Sequence, residues 1–114
     1  MEKTSIFIDH MGDSPTIRVL DYLLTERELD FSISDLARNV KLGRSTIYRI
    51  WDRMLKNKVV IPSRTIGNAK LYKINKKNPL VEKLIEIDDM LIIKELDKSS
   101  KEQESTTLTT NQNA

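Results

Sequence analysis

The chain of 114 residues contains no cysteine, and this absence excludes several kinds of site at once. Without cysteine there is no disulfide, no thiolate nucleophile and no zinc site of the cysteine-containing kinds. The single histidine, His10, has no second histidine nearby, so we expect it to be a surface residue, neither a metal ligand nor a catalyst. The composition is compatible with a reducing compartment.

Long apolar runs are also missing. The longest is Met90 to Ile93, far short of the roughly 20 residues that a membrane-spanning helix needs. The opening residues MEKTSIFIDH lack the apolar core of a signal peptide. We therefore expect a cytoplasmic protein that does not span a membrane. The sequence shows no nucleophile–base pair, Gly-rich phosphate loop or metal-ligand spacing, so we expect neither an enzyme nor a bound cofactor.

Basic charge is concentrated in the middle of the chain. Residues 38–77 contain twelve Lys or Arg and a single acid, Asp52, which gives this segment a net charge of +11, whereas all other residues together carry −9. Such a segment is expected to bind a polyanion. Each Lys or Arg that binds a phosphate of a nucleic acid releases counterions condensed on that nucleic acid, which adds salt-dependent affinity. A solvated, lysine-rich surface is the alternative explanation.

Capping residues and apolar spacing predict three helices in the first half of the chain. Ser14-Pro15 combines a cap with a first-turn proline, and apolar residues spaced three and four apart continue to about residues 25–27. Ser32-Ile33-Ser34-Asp35 has the form of a capping box and predicts a short helix over 33–39. A third helix is predicted over about 44–57. Its core-facing side carries Ile47, Ile50, Trp51 and Met54.

The second half of the chain predicts a hairpin, a helix and a tail. Two β-prone segments flank a turn at Gly67-Asn68 and predict a β-hairpin over about 59–75, with Pro62 at an edge or bulge. Asn78-Pro79 begins a helix over 78–97. Residues 98–114 have almost no apolar content and predict a disordered polar tail. Residues 1–10 contain the short apolar segment SIFID, which predicts a strand or arm.

This order of elements resembles a winged helix-turn-helix domain. Residues 32–48 read SISDLARNVKLGRSTIY and are similar to a helix-turn-helix signature; the resemblance extends from about Met11 to Asp88 through MGDSPTIRVLDYLL, STIYRIWDRM and IGNAKLYKIN. The family is that of small winged helix transcriptional regulators common in archaea. The resemblance implies a mainly α fold with a small β-hairpin (α+β), with residues 11–77 as the DNA-binding domain.

The sequence departs from this family pattern at two positions. Lys41 stands where many relatives have a glycine in the turn, and it would have to accept a backbone conformation that glycine takes more easily. Gly43 stands where a capping serine is usual, although glycine is an acceptable N-cap.

The resemblance implies that the third helix enters the major groove of double-stranded DNA. Arg44 and Arg49 are the predicted base readers, because the arginine fork matches O6 and N7 of guanine. Ser45 and Tyr48 are predicted to contact bases or phosphates, and Thr46 and Arg53 are predicted to anchor phosphates. Asp52 could orient Arg49 or only keep the surface soluble.

The hairpin corresponds to the wing, and it is predicted to place Arg64, Asn68 and Lys70 against the DNA backbone or minor groove. The lysines that follow either extend the positive field or only protect an edge strand; they are Lys73, Lys76 and Lys77.

Two other features have simple structural explanations. Trp51 could form an aromatic ligand shelf, but its spacing from Ile47 and Met54 favours core packing. The acidic run Glu86–Asp89 lacks the geometry of an ion-binding loop and predicts a solvated helix face.

The helix over 78–97 has a broad apolar face. Its residues Leu80, Leu84, Ile87 and Leu91 alternate at spacings of four and three and predict a two-fold homodimer. Packing of the N-terminal strand over this face is the alternative. The fold alone does not separate a DNA-binding regulator from a protein–protein adaptor or antitoxin that binds a partner protein through helix 78–97 or the tail.

Overall fold

Seven elements follow one another in the computed structural model, which describes the backbone of residues 5–113 and the side chains of residues 5–99. They are α1 (Ile6–Met11), α2 (Pro15–Thr25), α3 (Ile33–Val40), α4 (Arg44–Lys56), β1 (Val60–Ile66), β2 (Ala69–Ile74) and α5 (Pro79–Asn113). β1 and β2 pair in antiparallel fashion, and Phe31 forms a single bridge to Tyr72 of β2. The predicted mainly α fold with a small hairpin is confirmed.

The starts of α2 and α3 follow directly from their capping residues. The Ser14 hydroxyl accepts the N–H of Ile17 at 3.2 Å, with Pro15 in the first helical position. At α3, the Ser32 hydroxyl accepts the N–H of Asp35 at 3.1 Å and the Asp35 carboxylate accepts the N–H of Ser32 at 3.2 Å, which completes the predicted capping box. The backbone N–H of Ser32 and then its hydroxyl hold the pKa of Asp35 below its ordinary value.

The N-terminal segment is helical, so the strand or arm predicted over residues 1–10 is wrong for residues 6–10. Ser5 caps α1 by accepting the N–H of Ile8 at 3.1 Å, and Gly12 ends the helix at a φ of 89°. An apolar segment as short as SIFID does not distinguish the period of a strand from that of a helix, and the cap decides in favour of the helix. Residues 1–4 lie outside the described residues.

The core lies where α1, α2, α3, α4 and α5 meet the base of the hairpin. Its largest fully buried side chains are Phe7, Leu23, Leu24, Leu36, Ile47, Val19, Val60 and Val81.

Four aromatic rings form a continuous chain of edge-to-face contacts through this core. The ring centroids are 5.3 Å apart for Tyr22 and Phe31, 5.7 Å for Phe31 and Trp51, and 5.4 Å for Trp51 and Tyr72. Trp51 is only 2% exposed, so its predicted role in the core is confirmed. The chain of rings connects α2, α4 and β2.

Helix α5 extends beyond its predicted end. The sequence predicted a helix over 78–97 and a disordered tail over 98–114, whereas α5 continues to Asn113; Ala114 lies outside the described residues. No glycine or proline interrupts the chain between Leu80 and Asn113, so no residue there breaks the helix. Long as it is, α5 lacks the sustained apolar stretch of a membrane span, as does every other helix in the described part of the chain.

A partly buried ion pair fixes α5 against the end of α2. Nη2 of Arg27 lies 3.1 Å from Oδ2 of Asp88 and 2.9 Å from Oδ1 of Asp89, and its Nε donates to the carbonyl of Leu24 at 3.0 Å. Asp88 is 6% exposed, so the predicted solvated face is wrong for this residue, whereas Glu86 and Asp89 are exposed as predicted. Burial raises the pKa of Asp88, and the charge of Arg27 opposes that rise.

Replacing Ser32 with alanine tests the capping box that starts α3. Ser32→Ala should lower the free energy of unfolding by about 0.5–2 kcal/mol at neutral pH, because the N–H of Asp35 loses its acceptor. The pKa of Asp35 should also move part of the way back to its ordinary value. A lowered carboxyl pKa contributes stability that is present above the unfolded-state value and lost as the pH falls through the folded-state value. The difference in free energy of unfolding between the wild type and Ser32→Ala should therefore become smaller as the pH is lowered.

Urea unfolding at a series of pH values from neutral to about 3 measures both effects. Ser34→Ala is the matched control, because Ser34 is exposed on the same helix. Equal losses in the two variants, or a difference that widens in acid, would contradict the capping role.

Candidate nucleic-acid interface

A tight turn joins α3 to α4. Lys41 takes the left-handed conformation, with φ 56° and ψ 46°, which is the glycine-like conformation predicted for this position. Its N–H donates to the carbonyl of Ala37 at 3.1 Å. Leu42 packs against the core, and the carbonyl of Gly43 accepts the N–H of Ile47 at 3.1 Å to begin α4. The turn thus sets α4 at a fixed position beside α3.

Helix α4 has one side in the core and one side in solvent. Ile47, Trp51 and Met54 are buried, and Ile50 is half-buried. On the other side, Thr46 is half-buried and the remaining predicted contact residues are exposed; they are Arg44, Ser45, Tyr48, Arg49 and Arg53. The apolar periodicity therefore separated the two sides of this helix correctly.

The three arginines of α4 are open to an external anion. Within the described side chains, no carboxylate pairs with Arg44, Arg49 or Arg53. Among the described residues, no ion pair or hydrogen bond joins Asp52 to Arg49, so the suggestion that Asp52 orients Arg49 is not supported. Exposed cations to which the described residues offer no carboxylate are suited to phosphates and to acceptors on base edges.

The hairpin extends away from the helices, and residues 62–70 are all exposed. Gly67 occupies the turn with a φ of 59°, next to the exposed Asn68 and close to the exposed Lys70. The register shifts between Pro62 and Arg64, so the prediction of an edge or bulge at Pro62 is confirmed.

Arg64 differs from the arginines of α4 because it is already paired. Its Nε donates to Oδ2 of Asp30 at 2.8 Å and its Nη2 to Oδ1 at 3.4 Å, while the Ser63 hydroxyl donates to Oδ2 at 2.9 Å. The guanidinium, followed by the hydroxyl, holds the pKa of Asp30 below its ordinary value, and the same pair raises the pKa of Arg64. No local pattern in the sequence indicates Asp30, since it lies 34 residues from Arg64 along the chain.

Two other acids from outside residues 38–77 also pair with cations of this basic segment. Glu28 pairs with Lys76, and Asp35 lies 3.0 Å from Arg38. These acids precede residue 38 in the chain, so a count along the sequence assigned them to the acidic remainder. In space they neighbour the basic residues and offset part of the charge of the segment.

Two asparagines, Asn75 and Asn78, hold the end of α4, a role that the sequence did not indicate for either of them. The side-chain amide of Asn78 donates to the carbonyls of Asn57 at 3.1 Å and Lys58 at 3.0 Å, and that of Asn75 donates to Lys58 at 2.9 Å. Lys58 has a φ of 56°, which turns the chain from α4 into the hairpin. These bonds join the end of α4 to the segment between β2 and α5.

The predicted dimer residues of α5 divide into two groups. Leu84 is half-buried and Leu91 is 6% exposed, and both pack in the core of their own chain, whereas Leu80 and Ile87 are exposed. Helix α1 packs against α2 and α5, so the N-terminal segment does cover part of α5. Several large apolar residues near the point where α5 leaves the core are exposed; they are Met90, Ile92, Ile93 and Leu96.

The chain matches no protein-family model and no curated protein. Several solved structures resemble it. The transcriptional regulator HlyU from Vibrio vulnificus CMCP6 has a TM-score of 0.55 and 16% identity over 75% of this chain and 83% of that chain. MepR, a transcription regulator of the Staphylococcus aureus multidrug efflux pump MepA, has a TM-score of 0.58 and 16% identity over 90% of this chain and 78% of that chain.

The apo C30AH42A mutant of ZitR from Lactococcus lactis has a TM-score of 0.61 and 14% identity over 88% of this chain and 81% of that chain. The fold is a winged helix-turn-helix. In this winged helix fold α3 and α4 are the helix-turn-helix pair, α4 occupies the position called the recognition helix, and the β1–β2 hairpin occupies the position called the wing. At these identities the likeness concerns the fold, and the resemblance to archaeal regulators stays a prediction.

Proposed function

We propose that this protein is a sequence-specific double-stranded DNA-binding transcriptional regulator. Its sequence resembles the small winged helix regulators that are common in archaea. The observation that carries the proposal is the set of exposed arginines on the recognition helix, Arg44, Arg49 and Arg53, with which none of the described carboxylates pairs. The winged helix proteins HlyU and MepR, described as transcriptional regulators, support the same function. We propose no enzymatic activity for this site.

The recognition helix lies in the major groove in this proposal. Arg44 occupies the first position of α4, and residues at the start of such a helix contact base edges. Arg44 and Arg49 read guanine, because each can donate two parallel bonds to O6 and N7. Ser45 and Tyr48 contact bases or phosphates.

The remaining contacts position the protein on the DNA backbone. Thr46 is half-buried, which suits a phosphate contact better than a base contact. Arg53, about two and a half turns further along the helix than Arg44, also binds phosphate. Asn68 and Lys70 of the wing contact the backbone or the minor groove.

The regulator acts as a two-fold dimer that forms through α5. Four large apolar residues lie exposed within seven positions of this helix; they are Met90, Ile92, Ile93 and Leu96. Complete burial of such a side chain is worth about 1.5–3 kcal/mol, and a second copy of α5 would supply the covering surface. The interface therefore uses these exposed residues and not Leu84 and Leu91, which pack within one chain. A dimer of this kind would place its recognition helices at half-sites about 34 Å apart on DNA.

Selection of bound duplexes from random DNA, repeated over a range of salt, tests the DNA-binding function. Enrichment of a short inverted repeat is the expected result. Arg49→Ala should lower discrimination at one base pair of that repeat by about 1–3 kcal/mol. Lys70→Ala should weaken binding to all sequences and reduce the slope of log K against log salt by about 0.9.

Lys83→Ala is the control, because Lys83 is exposed on α5, outside the recognition helix and the wing. Equal losses on every sequence for Arg49→Ala would remove it as a base reader. Wild-type binding without enrichment of any sequence would overturn the proposal of sequence-specific regulation.

Sedimentation velocity tests the dimer. We expect the wild type to sediment as a dimer and Ile93→Asp as a monomer, because a charge at an apolar contact is costly to bury. Leu29→Asp is the matched control, since Leu29 is 60% exposed and lies outside α5. A wild-type monomer, or an Ile93→Asp dimer as stable as the wild type, would contradict the proposed interface.

A further inference from the structure

The wing has few bonds to the rest of the domain. At its base, Phe31 and Tyr72 exchange backbone hydrogen bonds of 2.9 and 2.8 Å. Beyond that bridge, Asp30 is the only residue outside the hairpin that hydrogen-bonds to residues 62–70 within the part of the chain that is described. Within the described residues, this one carboxylate is therefore the only hydrogen-bonded link between the outer wing and the rest of the domain.

The bulge in β1 explains how Asp30 binds two consecutive residues. Pro62 pairs with Tyr72 and Arg64 with Leu71, which leaves Ser63 as the extra residue. Neighbouring side chains of a regular strand point to opposite faces of the sheet. At this bulge, both the Ser63 hydroxyl and the Arg64 guanidinium reach the same carboxylate.

We infer that Asp30 is a positioning residue that fixes the wing arginine and reduces binding to non-specific DNA, an inference that rests on the proposed DNA-binding function. The ion pair uses the Nε hydrogen of Arg64 and one Nη2 hydrogen, so three guanidinium hydrogens remain. The side chain of Arg64 is 63% exposed, compared with 19% for Asp30. Arg64 can therefore bind a DNA acceptor without leaving Asp30.

The pair affects specific and non-specific binding differently. The carboxylate offsets the charge of Arg64, so a loose contact with phosphate releases fewer counterions. Its bonds also hold the guanidinium in one orientation, which favours an acceptor at a defined position. Non-specific complexes, in which the wing meets phosphates in many arrangements, lose more affinity than a matched complex. Specificity increases because the competing complexes are weakened.

Asp30→Asn tests the inference, because it removes the charge and keeps the size of the side chain. We expect affinity for a random-sequence duplex to rise roughly three- to tenfold at low salt, with a salt slope steeper by about 0.9. Affinity for the selected sequence should change less, so the ratio of specific to non-specific affinity should fall. Asp30→Glu, which keeps the charge, should restore most of that ratio.

Glu28→Gln is the matched control. It also removes one carboxylate and releases one cation, Lys76, but it leaves the bonds to Ser63 and Arg64 in place. We expect smaller changes in affinity and salt slope than for Asp30→Asn. The NMR signal of the Arg64 Nε–H gives an independent readout: it should be protected from solvent exchange in the wild type and in Glu28→Gln, and exposed in Asp30→Asn.

The outcomes separate this inference from the proposed function. If the wild type binds DNA but Asp30→Asn and Glu28→Gln change the salt slope equally, the inference is overturned and the DNA-binding function stands. Unchanged protection of the Arg64 Nε–H in Asp30→Asn also overturns the inference. If the wild type binds no DNA, the proposed function fails, and the inference fails with it.

Discussion

The packing of Trp51 between Phe31 and Tyr72 fixes the recognition helix relative to the wing. Trp51 belongs to α4, Tyr72 to β2, and Phe31 both contacts the indole ring and bridges to Tyr72 through its backbone. Because interior packing is dense and edge-to-face contacts are directional, the two surfaces proposed to meet DNA share one rigid support. Their spacing on the DNA therefore depends on residues that do not touch it.

Much of this arrangement could be predicted from local sequence. Ser14, Ser32 and Pro15 mark helix starts by a mechanism that acts within four residues, and the periodicity of α4 separates its buried side from its exposed side. The turn residue Lys41 could be identified as left-handed because its place in the pattern demanded it. These features depend on residues that are close together in the chain, so a single sequence was sufficient to predict them.

The features that escaped prediction depend on contacts between distant segments. Asp30 meets Arg64 across 34 positions and Arg27 meets Asp88 across 61, and neither pair has a local pattern. Leu91 has the spacing of an interface residue, yet it is buried within its own chain. Charge summed along the sequence overstated the number of free cations, because acids from outside the basic segment neighbour it in space.

The position of Trp51 also makes the protein suitable for optical study. It is the only tryptophan in the chain, and it lies between the recognition helix and the wing. Its ring is 2% exposed, so quenchers dissolved in water have little direct access to it. Its emission spectrum therefore reports on the junction between these two elements without an added label. A displacement of the wing relative to the helix would alter the environment of a single, assigned fluorophore.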